Sequence, residues 1–258
     1  MSLILSEKKN KVTVITLNRA DKFNSFNREM ALQLHKALDE AEADKNCRAI
    51  ILTGTGKAFC AGQDLAEAID PNGPGISRIV TEHYNPIILR LRKIEKPIIA
   101  AVNGVAAGAG ANIALACDIV VATSSASFIQ AFSKIGLIPD SGGTFFLPRM
   151  IGFQMASALI ITGDKVSAKD ALNMGMIYKV FEDAGFTEET LKLAAALSDM
   201  PTRGIALTKK LLNVSYSNNL EQQLILEGKI QTEATLTYDY KEGVNSFLEK
   251  RKPNFKGE

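Results

Sequence analysis

Residues 97–122, PIIAAVNGVAAGAGANIALACDIVVA, decide the architecture. This is the longest apolar stretch of the chain, so a bilayer-spanning helix is the first reading to test. Asn103, Asn112 and Asp118 interrupt it, and Gly104, Gly108 and Gly110 fall inside it. A charge at mid-bilayer costs about 2.5–3.5 kcal/mol, and a span needs ~20 apolar residues without such breaks. The stretch reads instead as a buried strand (97–102), a tight glycine-rich turn (GVAAGAG), a short helix (112–117) and a second strand (118–122).

The same scheme precedes it. VTVITL at 12–17 is β-branched and weakly alternating, as a strand is. A helix starts after Asn27, which is suited to cap it, with Glu29 in the first turn. Met30, Ala31, Leu34, Ala37, Leu38 and Ala41 give that helix one apolar face. Residues 49–53 form a buried strand. GTGKAFCAGQDL then leads through the loop IDPNGPGIS (69–77) to a helix over 77–94. From Thr144 the pattern is mostly helical: 144–151, 153–162 and 167–173, a short strand at 177–181, then 188–199, 202–214, 219–235 and 239–249. Strands alternating with helices place the chain in the α/β class. We divide it into a core, 1–198, and a helical C-terminal region, 199–258.

Composition narrows the function. The 258 residues are 46% hydrophobic and 22% charged, and 30 basic against 28 acidic residues leave a net charge of +2. That mix fits a soluble globular protein, and the small charge gives no field for nucleic acid or an anionic membrane. Three widely spaced cysteines, Cys47, Cys60 and Cys117, form no CxxC pair, and only two histidines are present. No metal site is expected. A reducing cytoplasmic setting is, since MSLILSEKKNKVTV shows no signal pattern.

Two glycine-rich turns carry candidate chemistry: Phe59–Leu65, FCAGQDL, and Gly104–Asn112, GVAAGAGAN. Such turns leave backbone N–H groups free to face a ligand. They serve either as a pair of oxyanion donors or simply as tight packing. A nucleotide-phosphate loop lacks the GxGxxG spacing and the GK[ST] that it needs. Asp140, before SGGTFFLPR, is either an acid/base or the N-cap of the next helix. His35 reads as structural; His83, Tyr84 and Asn85 read as part of a surface helix, with the edge of the pocket as the alternative.

NR at 18–19, FNSFN at 23–27, FCAGQDL at 59–65, KPIIAAVNGVAAGAGANIALACDI at 96–119 and GLIPDSGGTFFLPR at 136–149 together resemble the enoyl-CoA hydratase/isomerase (crotonase) superfamily. ITGDKVSAKDALNMGMI and FLEKRKPNF extend the resemblance to the C-terminus. It is nearest to the isomerase branch acting on ring-1,2-epoxyphenylacetyl thioesters. The resemblance implies a crotonase-like spiral of ββα units with a C-terminal helical trimerisation region. It implies an acyl-CoA thioester substrate, no separate cofactor (coenzyme A being part of the substrate), and a homotrimer or a hexamer of two trimers.

Residue by residue, the resemblance makes the N–H groups of Gln63 and Ala109 the oxyanion donors and Asp140 the catalytic carboxylate. Ala61, Asp64, Gly108, Phe132 and Pro139 are expected around the substrate. Lys22 and Phe23 fall in the adenine-contacting turn, and Phe247 and Lys250 at a position that reaches a neighbouring subunit's ligand. Hydratases of the superfamily use two glutamates to activate water; the matching positions here are Asn112 and Phe132. Isomerisation through a thioester enolate with one aspartate is therefore the expected reaction. Hydration, as in fatty-acid β-oxidation, and acyl-CoA binding without turnover are the alternatives. Phe128, Phe132, Phe145 and Phe146 are candidates for an acyl or aryl pocket as well as for the core.

Overall fold

Strands from successive chain segments are dealt alternately to two sheets. The computed structural model describes residues 2–258. The chain begins with β1 (Ile4–Lys9), β2 (Val12–Leu17) and α1 (Arg28–Ala43). One turn follows: β3 (Ala49–Gly54), β4 (Ala58–Cys60), α2 (Leu65–Ile69), α3 (Gly75–Arg78), a π-helical turn (Ile79–Tyr84) and α4 (Asn85–Lys93). The next is β5 (Ile98–Val102), β6 (Val105–Ala107) and α5 (Ala109–Ala116). The third is β7 (Ile119–Thr123), β8 (Ser127–Ile129), α6 (Gly143–Ile151) and α7 (Phe153–Thr162). Then come β9 (Lys165–Ser167), α8 (Ala168–Asn173), β10 (Lys179–Phe181) and α9 (Phe186–Ser198). Helices α10 (Thr202–Ser215), α11 (Leu220–Thr235) and α12 (Tyr238–Leu248) complete the chain.

The larger sheet has the order β1-β2-β3-β5-β7-β10 and the smaller β4-β6-β8-β9. Within each turn the first strand enters the larger sheet, the second enters the smaller, and helix closes the unit. This is the expected ββα spiral. Ile51 pairs with Ile99 and Ile99 with Ile119 in the larger sheet. Ala58 pairs with Val105 and Val105 with Ser127 in the smaller. All of these pairings are parallel.

Burial explains why the central strands are uniformly apolar. Every residue of β5 is buried, as expected for a parallel strand covered on both faces. One face packs on α1, α4 and α5 through Leu34, Leu38, Ile87, Leu91 and Ile113. The other packs on α9 through Phe186 and Ala194. The C-terminal helices are fastened by buried charge. Lys209 Nζ on α10 donates to Asp118 Oδ2 at 2.6 Å, and Arg48 donates to the carbonyls of Met200 and Phe255. Among the described residues no helix is long and apolar enough to cross a membrane.

Three expectations change. Residues 105–107, read as part of a turn, form strand β6, because β4 and β8 pair on either side of them. The following helix begins at Ala109 rather than Asn112. His83 and Tyr84, assigned to a surface helix, are wholly buried. The helix spanning 75–93 contains a π-helical turn, which brings Tyr84 round to the core side.

Helix α5 packs closely on strand β4 of the smaller sheet at Gly110. A Cβ there would stand 2.4 Å from the Cys60 carbonyl oxygen and 2.7 Å from its sulfur. Gly110→Ala is therefore expected to lower stability by about 1–3 kcal/mol, the usual cost of overpacking. A wild-type urea midpoint in that variant contradicts the packing described.

Candidate active site

The parallel pairing of β4 with β6 brings the two glycine-rich runs side by side where the strands end. Phe26 then bridges to Gln63. Its N–H donates to Gly62 O at 2.7 Å, and its carbonyl accepts from Asp64 N at 2.8 Å. Those bonds use the residues flanking Gln63 and leave its own N–H turned away from the bridge. The N–H of Gln63 has no hydrogen-bond partner among the described residues. Ala109, the first residue of α5, has no intrahelical partner for its N–H, as at every helix start, and no other is present among the described residues.

Glycine makes this approach possible. Gly62 (φ 94°) and Gly108 (φ 54°) occupy the left-handed half of backbone space, which side chains beyond glycine rarely enter. A Cβ on Gly62 would lie 3.5 Å from Ala109 N, so the two donor segments are in contact. The N-terminus of α5 adds its partial positive charge to the same place.

Asp140 is attached to the same helix one turn along. Asn112 Nδ2 donates to the Asp140 carbonyl oxygen at 2.9 Å, and Gln130 Nε2 donates to Asn112 Oδ1 at 2.8 Å. Gly143 N donates to the same carbonyl. The capping alternative is not realised: Gly142 occupies the N-cap of α6, with no side-chain cap bond. The Asp140 carboxylate instead accepts from the Ser141 hydroxyl at 2.9 Å. Ser141 is buried and holds φ 51°, a strained setting for a non-glycine residue of the kind found at functional sites. Burial pushes the Asp140 carboxyl above the ordinary carboxylate value, and the Ser141 hydroxyl and Asp140's own N–H offset part of the rise.

The other expected site residues fall into three groups. Lys22 and Phe23 lie exposed on a turn whose Phe23 carbonyl accepts from Ala61 N at 3.0 Å, beside the donor segment. Asn24, fully buried, fixes that turn through the Arg19 N–H and the carbonyls of Thr55 and Ala58. Ala61 lies two residues before Gln63 and Gly108 immediately before Ala109, and Phe132 ring atoms lie 3.8 Å from where a Gly108 Cβ would be. Pro139, half-buried, precedes Asp140 in the loop held by Asn112. Asp64 is adjacent too, but its carboxylate is engaged: it pairs with Arg19 at 2.8 Å and caps α2 through Ala66 N. Burial pushes that carboxyl up, yet these partners outweigh it and hold it below the ordinary range. Phe247 lies elsewhere, lining a groove with Pro201, Gly204 and Phe255, and Lys250 is exposed in the turn after α12.

The aromatic candidates divide. Phe128 is core. Phe145 and Phe146 line a cavity of about 770 Å³ between α4, α6 and α10, with Arg92, Leu115 and Leu207. Arg149 stacks 3.8 Å over the Phe145 ring. His35 is structural as expected, its Nε2–H donating to the His83 carbonyl at 2.9 Å. The sequence reading preferred a surface helix for Tyr84 over the pocket edge, yet its hydroxyl donates to Gln63 Oε1 at 2.8 Å. The signal available was spacing: apolar residues at 79, 84, 87 and 91 open with a five-residue step. Among the described residues no three His, Cys, Asp or Glu side chains cluster as metal ligands would.

A carboxyl whose folded pKa lies above its unfolded one favours the fold when protonated. Its contribution is full below the unfolded value and is lost as pH rises through the folded value. Asp140→Asn is therefore expected to raise the thermal midpoint at neutral pH by on the order of 2 °C. The gain should narrow as pH falls towards about 4. An unchanged or lower midpoint at neutral pH contradicts a buried, destabilised carboxylate.

The family model described as enoyl-CoA hydratase/isomerase matches residues 7–258. The 1,2-epoxyphenylacetyl-CoA isomerase of Escherichia coli is 47% identical over 260 residues, covering 100% of this chain and 99% of that protein. The short-chain-enoyl-CoA hydratase of Clostridium acetobutylicum is 35% identical over 250 residues, covering 96% and 95%. A crystal structure of an enoyl-CoA hydratase subunit from Geobacillus kaustophilus superposes with a TM-score of 0.92 at 34% identity, covering 99% and 98% of the two chains. By fold and by sequence along its length, the chain belongs to the enoyl-CoA hydratase/isomerase family.

Proposed function

We propose that this protein is an acyl-CoA isomerase with Asp140 as its single acid/base. The substrate is 2-(1,2-epoxy-1,2-dihydrophenyl)acetyl-CoA, a Δ3-enoyl-CoA, or both. The observation that carries the reading is the fate of Asn112. Its amide is committed to the Asp140 carbonyl and to Gln130, and Phe132 is apolar and buried. Neither offers a carboxylate to activate water. One raised-pKa carboxyl remains.

The chemistry then follows. The thioester carbonyl accepts hydrogen bonds from the Gln63 and Ala109 amides. Asp140, ionised, takes a proton from C2, and the C2–H electron pair passes into the enolate. The oxygen's negative charge is stabilised by donors already in place, the arrangement in which such bonds lower a barrier most. Asp140 then returns the proton to C4, moving the double bond from C3–C4 to C2–C3. The same stabilised carbonyl supports opening of a ring epoxide, where little proton transfer is needed. Coenzyme A travels with the substrate, and the reading calls for no other cofactor.

Lys22 and Phe23, exposed beside the donor segment, are placed for the adenosine end of coenzyme A. Phe247 and Lys250 would act from a neighbouring copy. The exposed apolar residues Leu220, Leu224, Ile225, Leu236, Phe247 and Leu248 on and around α11 and α12 support assembly as a trimer or hexamer. Three buried free cysteines are in keeping with a cytoplasmic setting.

Asp140→Asn is expected to lower isomerase turnover by about 10²–10⁴-fold and to leave acyl-CoA affinity within about twofold. In the wild type the rate should rise with pH through a pKa above the ordinary carboxylate value, and this limb should vanish in the variant. Retained turnover removes the proposed shuttle, and hydration of crotonyl-CoA at comparable rates reassigns the enzyme as a hydratase. Ala109→Pro tests the amide alone, since proline is tolerated at the first helical position and lacks only the N–H. A rate loss of about 10²–10³-fold with an intact fold is expected; an unaffected rate contradicts the donor role.

A further inference from the structure

We infer that Tyr84 is a positioning residue for the oxyanion donor, acting through the Gln63 side chain; this rests on the reading of the Gln63 amide as a donor. Tyr84 is wholly buried, and its hydroxyl donates to Gln63 Oε1 at 2.8 Å. The other end of the same side chain is also held. Gln63 Nε2 donates to Glu67 Oε2 at 2.9 Å and to Asp64 O at 3.2 Å. Glu67 Oε1 accepts in turn from Arg28 N at 2.8 Å, one of the free amides at the start of α1. Both polar ends of Gln63 are therefore pinned, one to the π-helical turn and one to α1 and α2.

The backbone of Gln63 is held from the opposite side by the Phe26 bridge. Phe26 and Tyr84 contact each other edge to face, with ring centroids 5.9 Å apart. Tyr84 and Phe26 thus brace the same residue by side chain and by main chain. The peptide that carries the donor N–H has little freedom left to swing.

The π-helical turn gives this bracing a structural origin. Such turns are rare and recur at functional sites. Here the wider turn Ile79–Tyr84 directs two consecutive side chains, His83 and Tyr84, inward. Burial, with Cys60, Asp140 and Glu67 in electrostatic reach, raises the phenol's pKa well above its ordinary value. The hydroxyl therefore stays protonated and donates.

The test uses the full-length protein and phenylacetyl-CoA carrying ¹³C at the thioester carbonyl. Infrared difference spectra report how strongly the bound carbonyl is polarised. In the wild type the carbonyl band should move to lower wavenumber than in free ester. Tyr84→Phe keeps the ring against Phe26 and removes one hydroxyl. It should give back much of that shift and lower kcat by about tenfold, with phenylacetyl-CoA affinity within about twofold. Gln63→Met keeps the main-chain amide and breaks the Tyr84 bond together with those to Glu67 and Asp64. It should lose at least as much, and adding Tyr84→Phe to it should cost nothing further. Should Tyr84→Phe not fold, a loss in Gln63→Met supports bracing through the Gln63 side chain, and wild-type behaviour in it overturns the inference. A wild-type band and kcat in either single variant, or additive losses in the double variant, overturns the inference while leaving the donor reading intact. No carbonyl shift in the wild type overturns both.

Discussion

The site depends on the lateral pairing of β4 with β6. Parallel neighbours run the same way, so the segments that leave β4 and β6 emerge at the same end of the sheet, despite a register shift between Ala58 and Cys60, and run into helical structure. Here one segment bends at Gly62 and the other at Gly108, and each leaves one amide without a partner. A side chain at either glycine would meet the backbone penalty for positive φ, and at Gly62 a Cβ would also stand 3.0 Å from the Ala107 carbonyl oxygen. The unpaired amides are free for a ligand because they are too constrained to find a partner within the chain.

That constraint sets the electrostatics. Two donors and the start of α5 make a region that favours negative charge. Asp140 is hung from α5 by its main chain, through Asn112 and Gln130, so its carboxyl is free of both amides. Asn112 is therefore more than the absence of a glutamate. Its amide has two directed bonds, and a carboxylate there could not donate to the Asp140 carbonyl. Within this loop Asn112, whose amide cannot serve as a general base, also holds the main chain of Asp140.

Much of this is legible in the sequence, and the failures have physical causes. The β-branched runs at 12–17, 49–53 and 97–102 and the Asn27 cap announce themselves by periodicity and capping chemistry. Strand β1 does not, because all but Ile4 of it is exposed on an antiparallel edge. Strand β6 is three residues long and exists only because two neighbours pair with it. The glycine runs, Gln63, Ala109 and Asp140 could be singled out from residue type and resemblance. Whether their amides met, and whether Asp140 capped a helix, depended on packing that no local pattern encodes. Tyr84 was lost because the π-helical turn shifts the phase of the helix by one residue, carrying a residue assigned to the surface into the core. For Phe145 and Phe146 the sequence left pocket and core open, because helix α6 alone does not say which neighbour its apolar face meets; they line a cavity shared with α4 and α10.

The most direct measurement is a crystal structure of the complex with a saturated acyl-CoA. The expected result is a thioester carbonyl oxygen about 2.7–3.1 Å from both Gln63 N and Ala109 N, with an Asp140 carboxylate oxygen facing C2 of the acyl chain. A carbonyl bound outside the two amides, or an Asp140 carboxylate turned away from C2, contradicts the enolate chemistry assigned to this fold.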